Sequence, residues 1–108
     1  MGGDVRERLA KIVDCVRKLD RVPYWSVSGR TKCSYFRVVG VYGDYVEVEP
    51  EFGEIQRIPL RDFERVLEVW DQYKAGVVKR HEITKMTRFS SYIISIIHYC
   101  IDELEDEV

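Results

Sequence analysis

The 108-residue sequence has little of what marks metal-binding, disulfide-stapled and membrane proteins. Its three cysteines, Cys15, Cys33 and Cys100, are widely spaced and odd in number, which argues against a disulfide framework and against a zinc site with paired ligands. We therefore expect Cys15 and Cys100 to be free thiols in or beside the apolar core. The longest strongly apolar run, residues 92–101, is far shorter than the ~20 residues that a membrane-spanning helix needs.

Patterns that would name a reaction or a cofactor are also missing. The sequence holds no phosphate-binding loop, no dinucleotide fingerprint and no nucleophile elbow. His81-Glu82 begins the zinc-protease pattern, but Lys85 stands where the second histidine is required. His98 and Cys100 lie about 160° apart around a helix, so they cannot form a catalytic pair. We predict no cofactor, no metal and no catalytic residue, and a protein that acts by binding.

The composition is that of a globular domain, with 45% hydrophobic and 33% charged residues. A length of 108 residues fits one domain, residues 1–108, of which the acidic tail 102–108 is expected to fray. The amino terminus lacks a basic stretch followed by an apolar run, so the sequence predicts no signal peptide. These features predict a soluble, cytoplasmic protein without a membrane partner.

Hydrophobic periodicity predicts helices on both sides of the strand region. Apolar residues recur at spacings of three and four over residues 5–19 and again over residues 60–73. Between them, three aromatic and β-branched stretches are typical of strands, with a further short strand near Tyr24; the three are residues 33–42, 45–49 and 55–58. The order α-β-β-β-α-α predicts an α+β fold, in which an antiparallel meander of three to four strands packs against an N-terminal helix and two C-terminal helices.

Gly43-Asp44 predicts the tight turn of a β-hairpin, because glycine at the first central position is the type II′ pattern. The uninterrupted register pairs Tyr42 with Tyr45, Val41 with Val46 and Val39 with Val48. The four valines should then form the core face, because side chains alternate along a strand. The opposite face would carry Phe36, Val38, Tyr42, Tyr45, Glu47 and Glu49.

Residues 87–104 predict a final helix that is apolar around too much of its circumference to lie on one layer. Its apolar arc is roughly 200° wide, against the ≳ 100° stripe of a helix on a single core. More of this chain, or a second copy of it, must cover the remainder. We predict a homodimer, because small domains have few elements to cover such a face, with its interface at Ile94, His98 and Ile101.

Charge is distributed unevenly, although the net charge is only −2. Residues 21–43 hold four basic and no acidic side chains, with aromatic residues between them, and residues 77–88 form a second basic block. Cations beside aromatic rings on a strand can neutralise phosphates and stack bases. The blocks predict a nucleic-acid-binding face that comprises Trp25, Arg30, Lys32, Tyr35, Arg37, Lys79, Arg80, Lys85 and Arg88. A pI near 5.7 is low for such a domain.

Two other functions fit parts of the same sequence. The aromatic residues can line a pocket for a flat or cationic ligand between sheet and helices, formed by Trp25, Phe36, Tyr42, Tyr45, Glu47 and Trp70. Alternatively, Glu47 and Glu49 on one strand face can bind one Mg²⁺, as in metal-dependent nucleases. Glu51 stands where such nucleases often place a lysine, which weakens the second alternative.

Overall fold

The computed structural model describes residues 5–25 and 35–103. The chain begins with α1 (Val5–Val16), and four strands follow: β1 (Arg21–Pro23), β2 (Tyr35–Tyr42), β3 (Tyr45–Pro50) and β4 (Gln56–Pro59). The helices are α2 (Leu60–Glu68), α3 (Trp70–Lys74), α4 (Arg80–Met86) and α5 (Ser90–Ile97), and α5 continues into a π-helical turn (His98–Asp102). This α+β architecture confirms the predicted fold class.

The strands form one antiparallel meander in the order β1-β2-β3-β4. One face of the sheet is buried by the helices, and its side chains join α1, α2 and α5 in a continuous hydrophobic core. The fully buried members include Val22, Val46, Val48 and Ile58 from the strands, and Ile12, Phe63 and Ile93 from the helices. The opposite face of the sheet is open among the described residues, because the side chains on it are exposed or half-buried.

A β-bulge in β2 corrects part of the predicted hairpin register. Next to the turn the pairing is as predicted, with Tyr42 opposite Tyr45 and a positive φ of 61° at Gly43. Further along, the register shifts between Val38 and Gly40, so that Val38 lies opposite Val48 in place of Val39. The inserted residue inverts the faces of everything before it in the strand.

As a result, two residues predicted on the outer face lie in the core. Phe36 and Val38 are 1% and 5% exposed, whereas Arg37 between them is exposed on the open face. Phe36 packs against Tyr24 and Tyr92, with ring centroids 5.1 and 5.0 Å away. The prediction for this half of the hairpin was wrong, because composition alone gave no sign of the extra residue.

A single copy of the chain covers every isoleucine of the final helix. The helix packs against α1, α2, α4 and β1. Ile94 and Ile101, which were predicted at a dimer interface, are both 0% exposed in the monomer. They therefore cannot form a surface for a second copy, and the wide apolar arc gives no reason for dimerisation. A homodimer stays a prediction, but Ile94 and Ile101 are not part of its interface.

A disulfide joins Cys15 of α1 to Cys100 of the π-helical turn, with the two Cα atoms 5.8 Å apart. This corrects the prediction of free thiols at both positions. The pairing was hidden because the cysteines are 85 residues apart and meet only when α1 packs against the last turn. Since stable disulfides are rare in reducing compartments outside hyperthermophiles, the bridge is at odds with the expected cytoplasmic location.

The C-terminal helices differ in detail from their sequence pattern. The predicted helix 60–73 is broken at Val69, whose φ of −116° and ψ of 11° leave the helical region, into α2 and α3. The basic segment after Gly76 forms α4, and the carboxylate of Glu82 accepts a hydrogen bond from the Lys79 N–H at its start. Within residues 5–25 and 35–103, no helix is long and apolar enough to cross a membrane.

Candidate nucleic-acid interface

The open side of the sheet, called the outer face below, consists of Arg21, Tyr35, Arg37, Tyr42, Tyr45, Glu47, Glu49 and Arg57. Strand pairing places these residues in rows across the sheet. In one row Arg37 lies between Arg21 and Glu49. In another, Glu47 lies opposite Arg57, and the Arg57 Nε donates to the Glu47 Oε1 at 3.2 Å. The outer face therefore carries three guanidinium groups and two carboxylates.

Tyrosine rings lie among these charges. Tyr35 and Tyr42 are 46% and 48% exposed, which is high for residues of their size. The Arg21 guanidinium carbon is 5.5 Å from the ring centroid of Tyr35, and the Arg57 guanidinium carbon lies at the same distance from Tyr45. Both are cation–π distances. The ring centroids of Tyr42 and Tyr45 are 6.4 Å apart, so the two rings are neighbours at the turn end of the hairpin.

At the β1 end of the outer face the surface dips into an open depression of about 460 Å³. The lining comes from β1, β2, β3 and the turn after β3, and consists of Arg21, Tyr35, Phe36, Arg37, Glu49, Pro50, Glu51 and Gly53. The lining thus contains two guanidinium groups, an exposed tyrosine ring and two carboxylates.

The predicted basic residues are divided between different parts of the molecule. Arg37 and Tyr35 lie on the outer face, whereas Arg30 and Lys32 lie outside the described residues. The second block is carried by α4 and its flanks, and α4 packs against α2 and α5 in the helical layer. The described members of the two blocks therefore do not form one groove.

Members of the second basic block have partners of their own. The Arg80 Nη2 donates to the Ser91 Oγ at 2.9 Å, and the Arg88 guanidinium lies 5.2 Å from the ring of Phe89. Lys79 and Lys85 are exposed at the two ends of α4.

Trp25, which was predicted to stack on bases, stacks inside the protein. Its ring lies 3.8 Å from that of His98 at an interplanar angle of 4°, and its backbone N–H donates to the Ser95 Oγ. His98 itself, predicted at a dimer interface, is turned inward. Its Nδ1 is 3.3 Å from an oxygen of Asp102, and its Nε2 is 3.3 Å from an oxygen of Glu103.

The residues predicted to line one aromatic pocket fall into three separate clusters. Trp25 and Trp70 contact each other in the helical core, with centroids 6.1 Å apart. Phe36 belongs to the cluster with Tyr24 and Tyr92. Tyr42, Tyr45 and Glu47 lie on the outer face. These six residues do not converge on one cavity, because the sheet separates the last three from the others.

A buried polar cluster in the helical layer was missed. Asp102, 8% exposed, accepts hydrogen bonds from the Trp70 Nε1 and the Lys74 Nζ, both at 3.0 Å, and lies beside His98. The sequence pattern places residue 102 in the acidic tail that is expected to fray. The spacing of four between His98 and Asp102 was the available signal. Tyr99 is nearby, and burial raises its pKa, with the carboxylate of Glu103 contributing.

Arg57, on the outer face, was also missed as a site residue, because the sequence pattern predicts only a short strand around it. Arg21 belongs to the basic segment from which the nucleic-acid-binding face is predicted. Pairing β4 with β3 would have placed Arg57 beside Glu47. Among the described residues, no group of three or more histidine, cysteine, aspartate or glutamate side chains is arranged to hold a metal ion.

Comparison with protein-family models, with curated proteins and with solved structures finds no match to this chain.

Proposed function

We propose that the chain is a nucleic-acid-binding module whose outer face holds a single strand. One observation carries the proposal: two exposed tyrosines and three arginines share a sheet face that no helix covers among the described residues. Aromatic rings on an open sheet stack on bases, and guanidinium groups bind phosphate oxygens through paired hydrogen bonds. The module acts by binding and needs no catalytic group.

A single strand suits this face better than a duplex. Duplex bases are already stacked on one another, so they are not available to Tyr35 or Tyr42, whereas unstacked bases of a single strand are. The shape agrees with this choice. Four strands about 4.8 Å apart span roughly 14 Å, which exceeds the ~12 Å width of the major groove of B-DNA.

The charges of the outer face set the expected strength and salt dependence. Arg57 is engaged by Glu47, and the Arg21 guanidinium lies over the Tyr35 ring, so these two arginines are only partly available to a phosphate. Three phosphate contacts to a single strand give a slope of about −2 in a plot of log affinity against log salt. Binding should therefore be moderate and clearly salt-sensitive.

The test measures binding affinity by fluorescence anisotropy, with labelled 12-nucleotide single strands and a duplex of the same sequence, from 50 to 200 mM salt. The wild-type chain is compared with the outer-face variants Arg37→Ala and Tyr35→Ala. Arg37→Ala should weaken single-strand binding about tenfold, because it removes hydrogen bonds to a charged group. Tyr35→Ala should weaken it at least fivefold, roughly the value of one stacked base.

Arg65→Ala is the matched control, since Arg65 is exposed on α2 in the helical layer. It removes the same charge and should leave the affinity unchanged within about twofold. The proposal fails if the wild-type chain shows no salt-sensitive binding to any strand. It also fails if Arg65→Ala weakens binding as much as Arg37→Ala does, since the outer face would then have no special part in it.

A further inference from the structure

Arg21 and Arg37 form a pair of like charges on neighbouring strands. They lie directly opposite each other in the β1–β2 pairing. Within residues 5–25 and 35–103, neither arginine forms an ion pair with a carboxylate. Like charges directly opposite each other weaken a sheet. A phosphate between the two guanidinium groups would remove this repulsion, and its oxygens match the guanidinium fork.

The same two arginines line the depression of about 460 Å³, together with the ring of Tyr35. That volume lies within the ~300–1,000 Å³ of typical small-molecule sites. Glu49 and Glu51 also line it, and Glu49 lies opposite Arg37 on β3. The depression thus combines an anion-binding pair, an aromatic face and carboxylate acceptors.

The carboxylates decide which ligand fits. An ionised carboxylate only accepts hydrogen bonds, so Glu49 disfavours a second phosphate but binds a hydroxyl or an amine. A ribonucleotide offers a phosphate, a base and a donating 2′-hydroxyl on adjacent groups. The 2′-hydroxyl is the group by which proteins distinguish RNA from DNA.

We infer that this depression holds one ribonucleotide and that the outer face consequently prefers RNA to DNA. The inference rests on the proposed function and specifies its substrate class. The phosphate bridges Arg21 and Arg37, the base stacks on Tyr35, and the 2′-hydroxyl donates a hydrogen bond to the carboxylate of Glu49.

The experiment compares the affinities of the full chain for U12 RNA and dU12 DNA, which differ only in the 2′-hydroxyl. The wild-type chain should bind U12 about tenfold more tightly, the value of one hydrogen bond to a charged group. U12 with 2′-O-methyl groups, which accept but do not donate, should bind like dU12.

Variants identify the group that reads the hydroxyl. Glu49→Ala and Glu49→Gln should bring the U12-to-dU12 affinity ratio close to one, while binding of dU12 becomes tighter because a negative charge is removed. Glu47→Ala is the matched control on the same strand and face: it alters both affinities but keeps the ratio. Arg21→Ala and Arg37→Ala should lower the affinities for U12 and dU12 by the same factor. Circular dichroism confirms that each variant is folded.

The outcomes separate the inference from the proposed function. Equal affinities of the wild-type chain for U12 and dU12 overturn the inference and leave single-strand binding standing. An unchanged ratio in both Glu49 variants also overturns it, since another group would then read the hydroxyl. If neither strand binds, or poly(glutamate) competes as well as U12, the proposed function fails as well.

Discussion

Asp102 joins α3 to the π-helical turn through one carboxylate. Its Oδ1 accepts from the Trp70 indole of α3 and from the Lys74 ammonium, while its Oδ2 faces the imidazole of His98. The aspartate is 8% exposed, so its charge is compensated by these donors and hardly by water. A buried group that loses its partner is costly, because the donor left behind is then unsatisfied.

Asp102→Ala should therefore destabilise the protein by about 2–4 kcal/mol, since it leaves the buried indole N–H of Trp70 and the nearby ammonium without their acceptor. Urea unfolding followed by tryptophan fluorescence measures the loss. Asp14→Ala is the control, because Asp14 pairs with Lys18 where both side chains are more than 70% exposed. It should cost less than about 0.5 kcal/mol. Equal losses for the two variants would contradict the role given to Asp102.

The hydroxyl of Tyr24 gives a prediction about alkaline pH. Burial raises its pKa from 10.0 to about 12, and the neighbouring Tyr92 and the carboxylate of Glu51 add to the rise. Below pH 10 the tyrosine is protonated in both folded and unfolded chains. Between pH 10 and about 12 the unfolded chain releases the proton first, so the stability contributed by neutral Tyr24 is lost as pH rises.

Thermal melts between pH 9 and 12 should accordingly show a steeper fall in Tm for the wild-type chain than for Tyr24→Phe, which cannot ionise. Tyr35→Phe serves as the control, since it removes a phenol from an exposed ring on the outer face. The control should keep the wild-type slope. Identical slopes for Tyr24→Phe and the wild-type chain would show that Tyr24 does not cause the loss.

Among the elements, β2 shows how far a sequence pattern can be followed. Gly43 predicted the turn correctly, because few residues other than glycine adopt the positive φ that this position requires. Alternation then failed at Val39, because a bulge inserts a residue without any compositional mark. Residue propensity predicts that a segment forms a strand, but pairing with the neighbouring strands determines where a bulge interrupts it.

The bulge makes a sharp prediction for two adjacent aromatic residues. Phe36→Ala should cost about 3–5 kcal/mol, because it empties a core position between Tyr24 and Tyr92. Tyr35→Ala, one residue away on the exposed side, should cost less than about 1 kcal/mol while weakening nucleic-acid binding. Chemical denaturation checks both. The reverse order of losses would restore the uninterrupted register.

The last helix illustrates the same limit in a different way. Its wide apolar arc correctly indicated that more than one layer must cover it. The pattern could not show whether the same chain or a second copy covers the helix. The positions of α1, α2 and α4 around the helix depend on tertiary packing. Ile94 is buried by these neighbours, so the geometry answers what periodicity left open.

For the molecule as a whole, the fold class was predictable and the proposed binding surface only partly so. Strand and helix content followed from local spacing, and the confirmed meander from the turns. The two basic blocks could not be assigned to faces, because the strand register places Arg37 on the sheet while α4 carries Lys79 and Arg80 in the helical layer. Arg57 joined the outer face only through the pairing of β4 with β3.

The longest-range constraint is the bridge between Cys15 and Cys100, and it yields the prediction for the whole chain. The bridge closes a loop of 85 residues. Restricting a loop of that length in the unfolded chain contributes about 4.5 kcal/mol in the chain-entropy account, within the 2–5 kcal/mol usually lost when a native disulfide is removed. Reducing agent should therefore lower the denaturation midpoint of the wild-type protein clearly.

The double variant Cys15→Ser, Cys100→Ser should unfold at the lower midpoint with or without reducing agent. Cys33→Ser should keep the wild-type difference, because it leaves the bridge intact. Thiol titration under denaturing, non-reducing conditions gives an independent reading. One reactive thiol per wild-type chain is expected, because the sequence has three cysteines and the bridge takes two. Three reactive thiols, together with a denaturation midpoint that does not change with reducing agent, would contradict the bridge. Packing alone would then hold α1 against the last turn.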